Sequence, residues 1–184
     1  ETLELGMKWD LTPDLAHTDA IYRLDRTNTR HSPSPGVVLL TGAQRSEGFE
    51  LGISGAVSDH WEVMGGYAYQ EAEITSDTSA AAGRVIPLTP EHTFSLWNMV
   101  HLSPRLSLGL GATHQSDSFA SINNAVTLPA FTRVDAALIY AITENVEAQL
   151  NVENLHDEEY WGTAHSDNNI MPGSPTAARL TLRA

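Results

Sequence analysis

Residues 146–153 read Val-Glu-Ala-Gln-Leu-Asn-Val-Glu, an unbroken alternation of apolar and polar side chains over eight positions. Successive side chains of a β-strand point to opposite faces of a sheet, whereas a helix of this sequence would mix the two kinds on every face. The segment therefore predicts a strand with one apolar and one polar face. Residues 131–142 repeat the pattern, with Val134 and Ala136 on one side and Asp135 on the other.

The same alternation continues along the chain and predicts about nine strands. In the second of them, the pattern assigns Ala20, Tyr22 and Leu24 to the apolar face. The fifth is less regular, because apolar residues fall on both of its faces. The predicted strands cover residues 3–11, 16–29, 49–57, 61–75, 92–102, 106–113, 131–142, 146–153 and 178–183.

The connections between these strands alternate between short and long. The short ones are Thr12–Asp14, Ser58–His60, Ser103–Arg105 and Thr143–Asn145, and the long polar ones are residues 30–45, 76–90, 115–130 and 155–177. In an up-and-down meander this alternation puts every tight turn at one rim and every long loop at the other, as in transmembrane barrels. We therefore predict an all-β fold, an antiparallel up-and-down meander that forms part of a transmembrane β-barrel.

A soluble meander or a lipocalin-like barrel would also show alternation. However, polar side chains such as Glu147, Gln149 and Asn151 on the inner face would leave a soluble core wet, and they suit a water-filled or plugged lumen better. Helical membrane proteins are excluded, because no stretch approaches the roughly 18 consecutive apolar residues that a spanning helix needs.

Composition narrows the possible partners. The formal net charge of the 184 residues is −13, and only ten Lys and Arg are present, so we expect no nucleic-acid partner. The absence of Cys excludes disulfides, thiolate metal sites and cysteine nucleophiles.

Several motifs resemble one family, the TonB-dependent ferric siderophore receptors, in the C-terminal part of their barrel. Residues 150–160 are similar to a family signature whose Asn-Leu-x-Asp-x-x-Tyr core is intact here, and residues 172–175 are similar to a Pro-Gly-x-Pro motif before the last strand. The motif positions are Asn154, Leu155, Asp157, Tyr160, Pro172, Gly173 and Pro175. Residues 44–51 and 128–135 also resemble family segments.

Three features depart from the family pattern. His156 stands where the family has Phe, and Thr176 stands where it has Arg. The chain ends Leu182-Arg183-Ala184 instead of in the aromatic residue that family members normally carry, so we expect that it stops a few residues short.

The resemblance implies that residues 1–184 are the C-terminal part of a barrel of about 22 strands, with the plug and the N-terminal strands absent. It implies a place in the cell outer membrane, in contact with lipid, and a role in ferric siderophore uptake. It also implies coupling to TonB through the missing N-terminal parts, no enzyme activity, and no cofactor, since iron arrives only as a siderophore chelate.

The resemblance directs the search for ligand-binding residues to the long segments. Catecholate siderophores are anionic, so cationic and hydrogen-bonding side chains there are candidates. These candidates are Arg45, Arg84, His114, Gln115, Arg133 and His165. The alternative is that they are solvated loop residues or form salt bridges in the lumen.

Metal binding and catalysis have little support in the same residues. Eight His show no metal-ligand spacing, and Ser118 with His114 and Asp117 shows no known triad spacing, so we expect neither a metal site nor catalysis. A stand-alone small β-barrel, or a soluble β-sheet binding or structural module derived from such a receptor, remains as an alternative. Nine strands alone would expose two open edges, which favours closure or self-association through those edges.

Overall fold

The structure, a computed structural model, describes residues 1–77 and 80–184, with the side chains at 31–33 and 41 excepted. Within those ranges it has thirteen β-strands, and no helix there is long and apolar enough to cross a membrane. The strands are β1 (Thr2–Thr12), β2 (Leu15–Ser34), β3 (Val37–Ser58), β4 (Trp61–Ser76), β5 (His92–Ser103), β6 (Leu106–Gln115), β7 (Ser118–Phe119), β8 (Thr127–Leu128), β9 (Phe131–Ala141), β10 (Glu147–Glu153), β11 (Trp161–Ser166), β12 (Asn169–Pro172) and β13 (Ala177–Arg183).

Nine of the strands form one antiparallel sheet in the order β1-β2-β3-β4-β5-β6-β9-β10-β13. The predicted nine-stranded meander is therefore confirmed. In the described ranges β1 and β13 each pair on one side only, so the sheet is open. The four remaining strands form two small hairpins, β7 with β8 and β11 with β12.

Register separates the sheet into two chemically different faces. Directly paired residues share a face, and Leu108, Leu138, Leu150 and Leu180 form one continuous row across β6, β9, β10 and β13. We call the face that carries this row the apolar face. The adjacent row, Gly109, Ala137, Asn151 and Arg179, lies on the opposite side, which we call the polar face.

The apolar face is exposed along its whole width. Leu3 is 74% exposed at one edge of the sheet and Leu180 is 67% exposed at the other. Among the described residues, the only large side chains that are fully buried are Ile74 and Asn154. An apolar surface of this extent on a sheet without a packed core is built to contact lipid.

A tryptophan on the polar face explains the irregular fifth strand. Phe94 and Leu96 lie on the apolar face, while Trp97 pairs with Gly111 on the polar face. The indole lies across the backbone of β6: a Cβ at Gly109 or Gly111 would come within 2.4 or 2.3 Å of its ring atoms. The two glycines therefore make room for the ring.

The apolar face predicted for the second strand is wrong. Ala20 and Tyr22 pair with Gly6 and Glu4, which places them, with Leu24, on the polar face. The hairpin register instead brings His17, Asp19 and Ile21 to the apolar face, opposite Trp9, Met7 and Leu5. Apolar side chains alone did not reveal the face, because β2 carries them on both sides.

The long polar loop predicted at residues 30–45 is also wrong. Strand β2 continues to Ser34 and β3 begins at Val37, and they are joined by a turn at Pro35 and Gly36, where Gly36 has a φ of 80°. Register shifts between Arg26 and Ser34 interrupt this extension. Polar residues do not argue against a strand here, because both faces of an extension beyond the membrane meet water.

The other connections agree with the prediction. Tight turns close the β1–β2, β3–β4 and β5–β6 hairpins, and a turn at residues 142–146 joins β9 to β10. At the opposite rim, residues 77–91, 116–130 and 154–176 connect the strands, and the last two of these segments contain the small hairpins.

The contact between Trp97 and Gly111 gives a test of the fold. Gly111→Val should lower the free energy of unfolding by about 1–3 kcal/mol, because the added side chain overlaps the indole. Urea unfolding followed by circular dichroism measures the change. Thr113→Val on the same face of β6 is the matched control, and Gly111→Val should cost much less in a Trp97→Ala background. An equal cost in both backgrounds would contradict the steric explanation.

Candidate functional site

The three long segments at one rim pack together into a layer, which we call the loop layer (the described residues 77, 80–91, 116–130 and 154–176). Its centre is a small apolar cluster in which Ala120, Leu128 and Ala164 are buried, with Val126 and Ile170 packed against them. Because the cluster joins the β7–β8 hairpin to the β11–β12 hairpin, the loops hold each other in place instead of moving independently.

Hydrogen bonds join the first segment to the second. Asn124 accepts a bond from the backbone N–H of Val85 at 2.8 Å and donates its amide to the Val85 carbonyl at 2.9 Å. The N–H of Leu88 donates to the carbonyl of Phe119 at 3.0 Å. Asn124 has a φ of 56°, a conformation that Asn tolerates better than most residues.

A carboxylate joins the second segment to the third. Asp167 accepts hydrogen bonds from the Asn123 amide and from the Ser121 hydroxyl, the latter at 2.7 Å. Because these bonds favour the ionised form, the bond from Asn123 most and that from Ser121 next, the pKa of Asp167 lies below its usual value.

The Asn-Leu-x-Asp-x-x-Tyr motif organises the start of the third segment. Asn154 is fully buried with a φ of 53°, and its backbone N–H donates to the Asp135 carboxylate at 2.8 Å. Its side-chain amide donates to the carbonyls of Glu158 and Ser174, both at 3.0 Å, and accepts from the N–H of Glu158 at 2.9 Å. One side chain thus satisfies backbone groups from both ends of the segment.

Thr176, which departs from the family pattern, takes part in the same network. Its hydroxyl donates to the Asn154 carbonyl at 2.6 Å, and its backbone N–H donates to the Asp157 carboxylate at 3.0 Å. The N–H of Leu155 donates to the carbonyl of Val134 at 2.8 Å, which continues the sheet past the end of β10. The motif therefore fixes where the chain leaves the barrel wall and where it returns.

Tyr160 anchors the segment on the polar face. Its ring stacks on Phe131 with centroids 4.3 Å apart, and its hydroxyl accepts a hydrogen bond from Arg133 at 3.2 Å. A Cβ at Gly173 would lie 2.1 Å from the Tyr160 ring, which explains the glycine of the Pro-Gly-x-Pro motif. Pro172 ends β12, and Pro175 lies exposed before β13.

The six candidate ligand-binding residues lie in three different parts of the structure: the polar face, the loop layer and the apolar face. Gln115 and Arg133 lie on the polar face, opposite Phe131 and Thr113 respectively. Arg133 also donates to Asp135 at 2.9 and 3.1 Å, in addition to its bond to Tyr160.

Arg84 and His165 lie exposed in the loop layer, Arg84 in the first segment and His165 on β11. Neither the guanidinium of Arg84 nor the imidazole of His165 has a side-chain partner among the described residues. Both side chains are exposed to solvent.

The strand register places His114 and Arg45 on the apolar face. His114 shares a 2.8 Å hydrogen bond with the hydroxyl of Thr132. Arg45 donates to Asp25 at 2.8 Å, and Arg23 donates to the other oxygen of the same carboxylate. The bond from Arg45, followed by that from Arg23, holds the pKa of Asp25 below its usual value.

A cavity of about 150 Å³ beside Arg45 has acidic walls, which include Glu47, Glu71, Glu73 and Glu91. Because these carboxylates are negatively charged, the cavity is a poor binding site for an anion. Within the described part of the chain, no three His, Asp or Glu side chains converge as metal ligands.

Sequence reasoning found the motif residues but missed what Asn124 and Asp167 do. The motif gave a signal because its residues stand at fixed spacing. Asn124 and Asp167 gave none, because their partners Val85 and Ser121 are 39 and 46 residues away.

Comparison with known proteins gives a consistent result. A family model described as TonB dependent receptor-like, beta-barrel matches residues 1–155. A probable TonB-dependent siderophore receptor, PiuA of Acinetobacter baumannii, is 32% identical over 194 residues, covering 99% of this chain and 26% of that protein. The catecholate siderophore receptor Fiu of Escherichia coli is 35% identical over 188 residues, covering 98% of this chain and 25% of that protein.

Solved structures agree with the sequence matches. The crystal structure of the siderophore receptor PiuA from Acinetobacter baumannii superposes with a TM-score of 0.92 at 30% identity, covering 98% of this chain and 28% of that one. The closed form of the ferric-catecholate import receptor Fiu gives a TM-score of 0.86 at 31% identity. The chain thus spans about a quarter of the length of the curated relatives it matches.

The Asn154 network can be tested by Asn154→Gly, which keeps the left-handed backbone accessible and removes only the side chain. The variant leaves the backbone groups of Glu158 and Ser174 without their partner, and we expect a loss of roughly 2 kcal/mol or more in the free energy of unfolding. Residues 155–177 should also become sensitive to protease. Asn168→Gly, at an exposed position, is the control, and equal effects of both variants would contradict the role of Asn154.

The bond network of Asp167 should depend on pH. A carboxyl group with a lowered pKa stabilises the folded arrangement above its ordinary pKa of 3.8, and this stabilisation is lost as the pH falls through the lower folded value. Spin labels at Ile122→Cys and Asn168→Cys should therefore show a narrow distance distribution at about pH 6 that broadens at acidic pH, once the carboxyl group is protonated. With Asp167→Ala the distribution should be broad at both values. A pH-independent distribution in the unsubstituted protein would count against the prediction.

Proposed function

Since the chain belongs to the family of TonB-dependent receptor-like β-barrels, we propose that it forms the C-terminal part of the wall of an outer-membrane receptor for ferric siderophores. The strands hold the loop layer, the loops and the polar face bind the ligand, and no covalent bond is made or broken. The observation that carries the proposal is the two-faced, open nine-stranded sheet, whose exposed apolar face fits lipid and whose polar face fits a wet or plugged lumen.

The names of two relatives support the substrate class. Fiu is a catecholate siderophore receptor and PiuA a probable siderophore receptor, and each matches nearly the whole of this chain. Iron enters this proposal as cargo, chelated by the siderophore, and the chain needs no resident cofactor. The family relationship to transport receptors and the absence of a plausible triad spacing support a protein without enzyme activity.

The ligand contacts proposed from the sequence differ in how available they are. Arg84 and His165 are the strongest candidates, because both are exposed in the loop layer and hold no other side chain. Gln115 and Arg133 line the polar face below them, where Arg133 is already held by Asp135 and Tyr160. Arg45 and His114 lie on the other side of the sheet and are weaker candidates.

The remaining partners follow from the surfaces of the sheet. The apolar face contacts outer-membrane lipid, and the polar face contacts a plug supplied by another part of the receptor, through which TonB acts. Edges β1 and β13 pair with further strands of the same barrel or, in isolation, with another copy of the chain. The stand-alone alternative has less support, because β1 and β13 lie at opposite ends of an open sheet.

Iron uptake by the full-length receptor tests the proposal. In iron-limited cells that depend on this receptor, Arg84→Ala with His165→Ala should lower uptake of a ferric catecholate by about tenfold, as expected for the loss of a charge-assisted hydrogen bond. Arg84→Lys should keep more activity than Arg84→Ala. Uptake is measured with radioactive iron.

Arg105→Ala is the matched control, since Arg105 lies exposed in the tight turn between β5 and β6, at the rim opposite the loop layer, and should be nearly neutral for uptake. Normal uptake by the double variant would refute the two ligand contacts. Failure of the unsubstituted receptor to import any ferric siderophore would refute the function itself.

A further inference from the structure

Two ionisable side chains interrupt the apolar face between β1 and β3. His17 pairs with Trp9 on one side and Ile53 on the other, and Asp19 lies in the next row, between Met7 and Leu51. The imidazole Nε2 and the carboxylate Oδ1 are 2.8 Å apart, and the indole of Trp9 stacks on His17 with centroids 5.9 Å apart. The His17 side chain is 25% exposed and the Asp19 side chain 29% exposed.

Both residues lie within the lipid-facing band. Asp19 is five residues beyond Asp14 in the tight turn. At about 3.3 Å per residue and a strand tilt of about 40°, it stands about 12 Å above that rim, near the middle of an apolar band about 25 Å tall. No other charged residue lies on this side of β2 between Asp19 and Arg23, which is four residues further along the strand.

The pair does not satisfy its own polar groups. Within the described ranges, the second carboxylate oxygen of Asp19 and Nδ1 of His17 have no hydrogen-bond partner. Ionisable side chains on the lipid face of a membrane protein are costly, and where they occur they usually face protein or water. Acyl chains offer no donor or acceptor, and lipid headgroups are too far away to reach this depth.

We propose that the surface around His17 and Asp19 is a contact between two copies of the receptor in the membrane, with the pairs meeting across a two-fold axis. A two-fold interface must be complementary to itself. A neighbouring donor and acceptor meet this condition when His17 is an imidazolium, because it then donates from Nε2 to Asp19 of its own copy and from Nδ1 to the free carboxylate oxygen of the other. The second copy thereby supplies the polar partners that lipid cannot.

The shape of the neighbouring surface fits the same partner. A groove of about 220 Å³ begins at His17 and runs over Gly65, between Ile53 and Leu96. Its walls are almost entirely apolar, and the Leu96 side chain lies close to the backbone of Gly65. It can therefore accept a large apolar side chain of the second copy beside the polar contact. The contact between copies requires only that this face lies in the bilayer, whichever ligand the receptor imports.

Site-specific cross-linking of the full-length receptor in outer membranes tests the contact. Residues 1–184 contain no Cys, so Met7→Cys introduces a thiol beside Asp19, and any Cys in other parts of the receptor is first replaced by Ser. A short bismaleimide should give a covalent product of twice the receptor mass. Leu138→Cys, on the same face but on β9, is the matched control and should stay monomeric.

Two further variants isolate the role of the pair. His17→Phe with Asp19→Leu, in the Met7→Cys background, should lower the dimer yield at least about fivefold, which corresponds to about 1 kcal/mol. The exchange His17→Asp with Asp19→His keeps a donor beside an acceptor and should retain the dimer. Siderophore uptake, measured in parallel, shows whether the variants still fold and function.

Three outcomes would overturn the proposal. These are a Met7→Cys receptor that stays monomeric, a cross-linked product whose mass is not twice that of the receptor, and a dimer yield that is unchanged when the pair is replaced by Phe and Leu. A normal uptake result with any of them refutes the contact and leaves the transport function standing.

Discussion

The backbone hydrogen-bond ladder from β1 to β13 is the constraint on which the rest of the structure depends. In hydrocarbon no water is available to backbone N–H and C=O groups, so each strand must satisfy them through its neighbours. In the described ranges β1 and β13, the outermost strands of the nine-stranded sheet, pair on one side only. Because the ladder fixes which residues share a face, it also creates the exposed leucine rows that meet lipid.

On the other side of the ladder, a few aromatic rings and one amide replace a packed core. Trp97 fills the space left by Gly109 and Gly111, and Tyr160 fills that left by Gly173. Asn154 closes the long segment that leaves the wall and returns to it. These contacts are local, as expected for a wall whose lumen side meets water or another part of the receptor.

The proposed function depends on where the charged side chains lie on the sheet and in the loop layer. Arg23 and Arg45 donate hydrogen bonds to Asp25 beyond the lipid band, next to an acidic cavity. Arg84 and His165, in contrast, are exposed in the loop layer. The anionic chelate of the proposed function would therefore find its free donors at the loops. Inside the lipid band, the ionisable pair His17 and Asp19 is the exception, and its cost in lipid is the reason to look for a protein partner there.

The sequence alone determined the strands, since a period of two in residues 146–153 has no other regular explanation, and its motifs predicted the family. It could not determine which face of β2 is apolar, because Tyr22 and Ile21 are equally compatible with lipid and only the hairpin register with β1 places them. Nor could it reveal the strand extension through Ser34 or the network of Asn154. The extension was missed because its polar residues meet water on both faces, and the network depends on groups far apart in the chain, such as Asp135 and Ser174, which only the folded chain brings together.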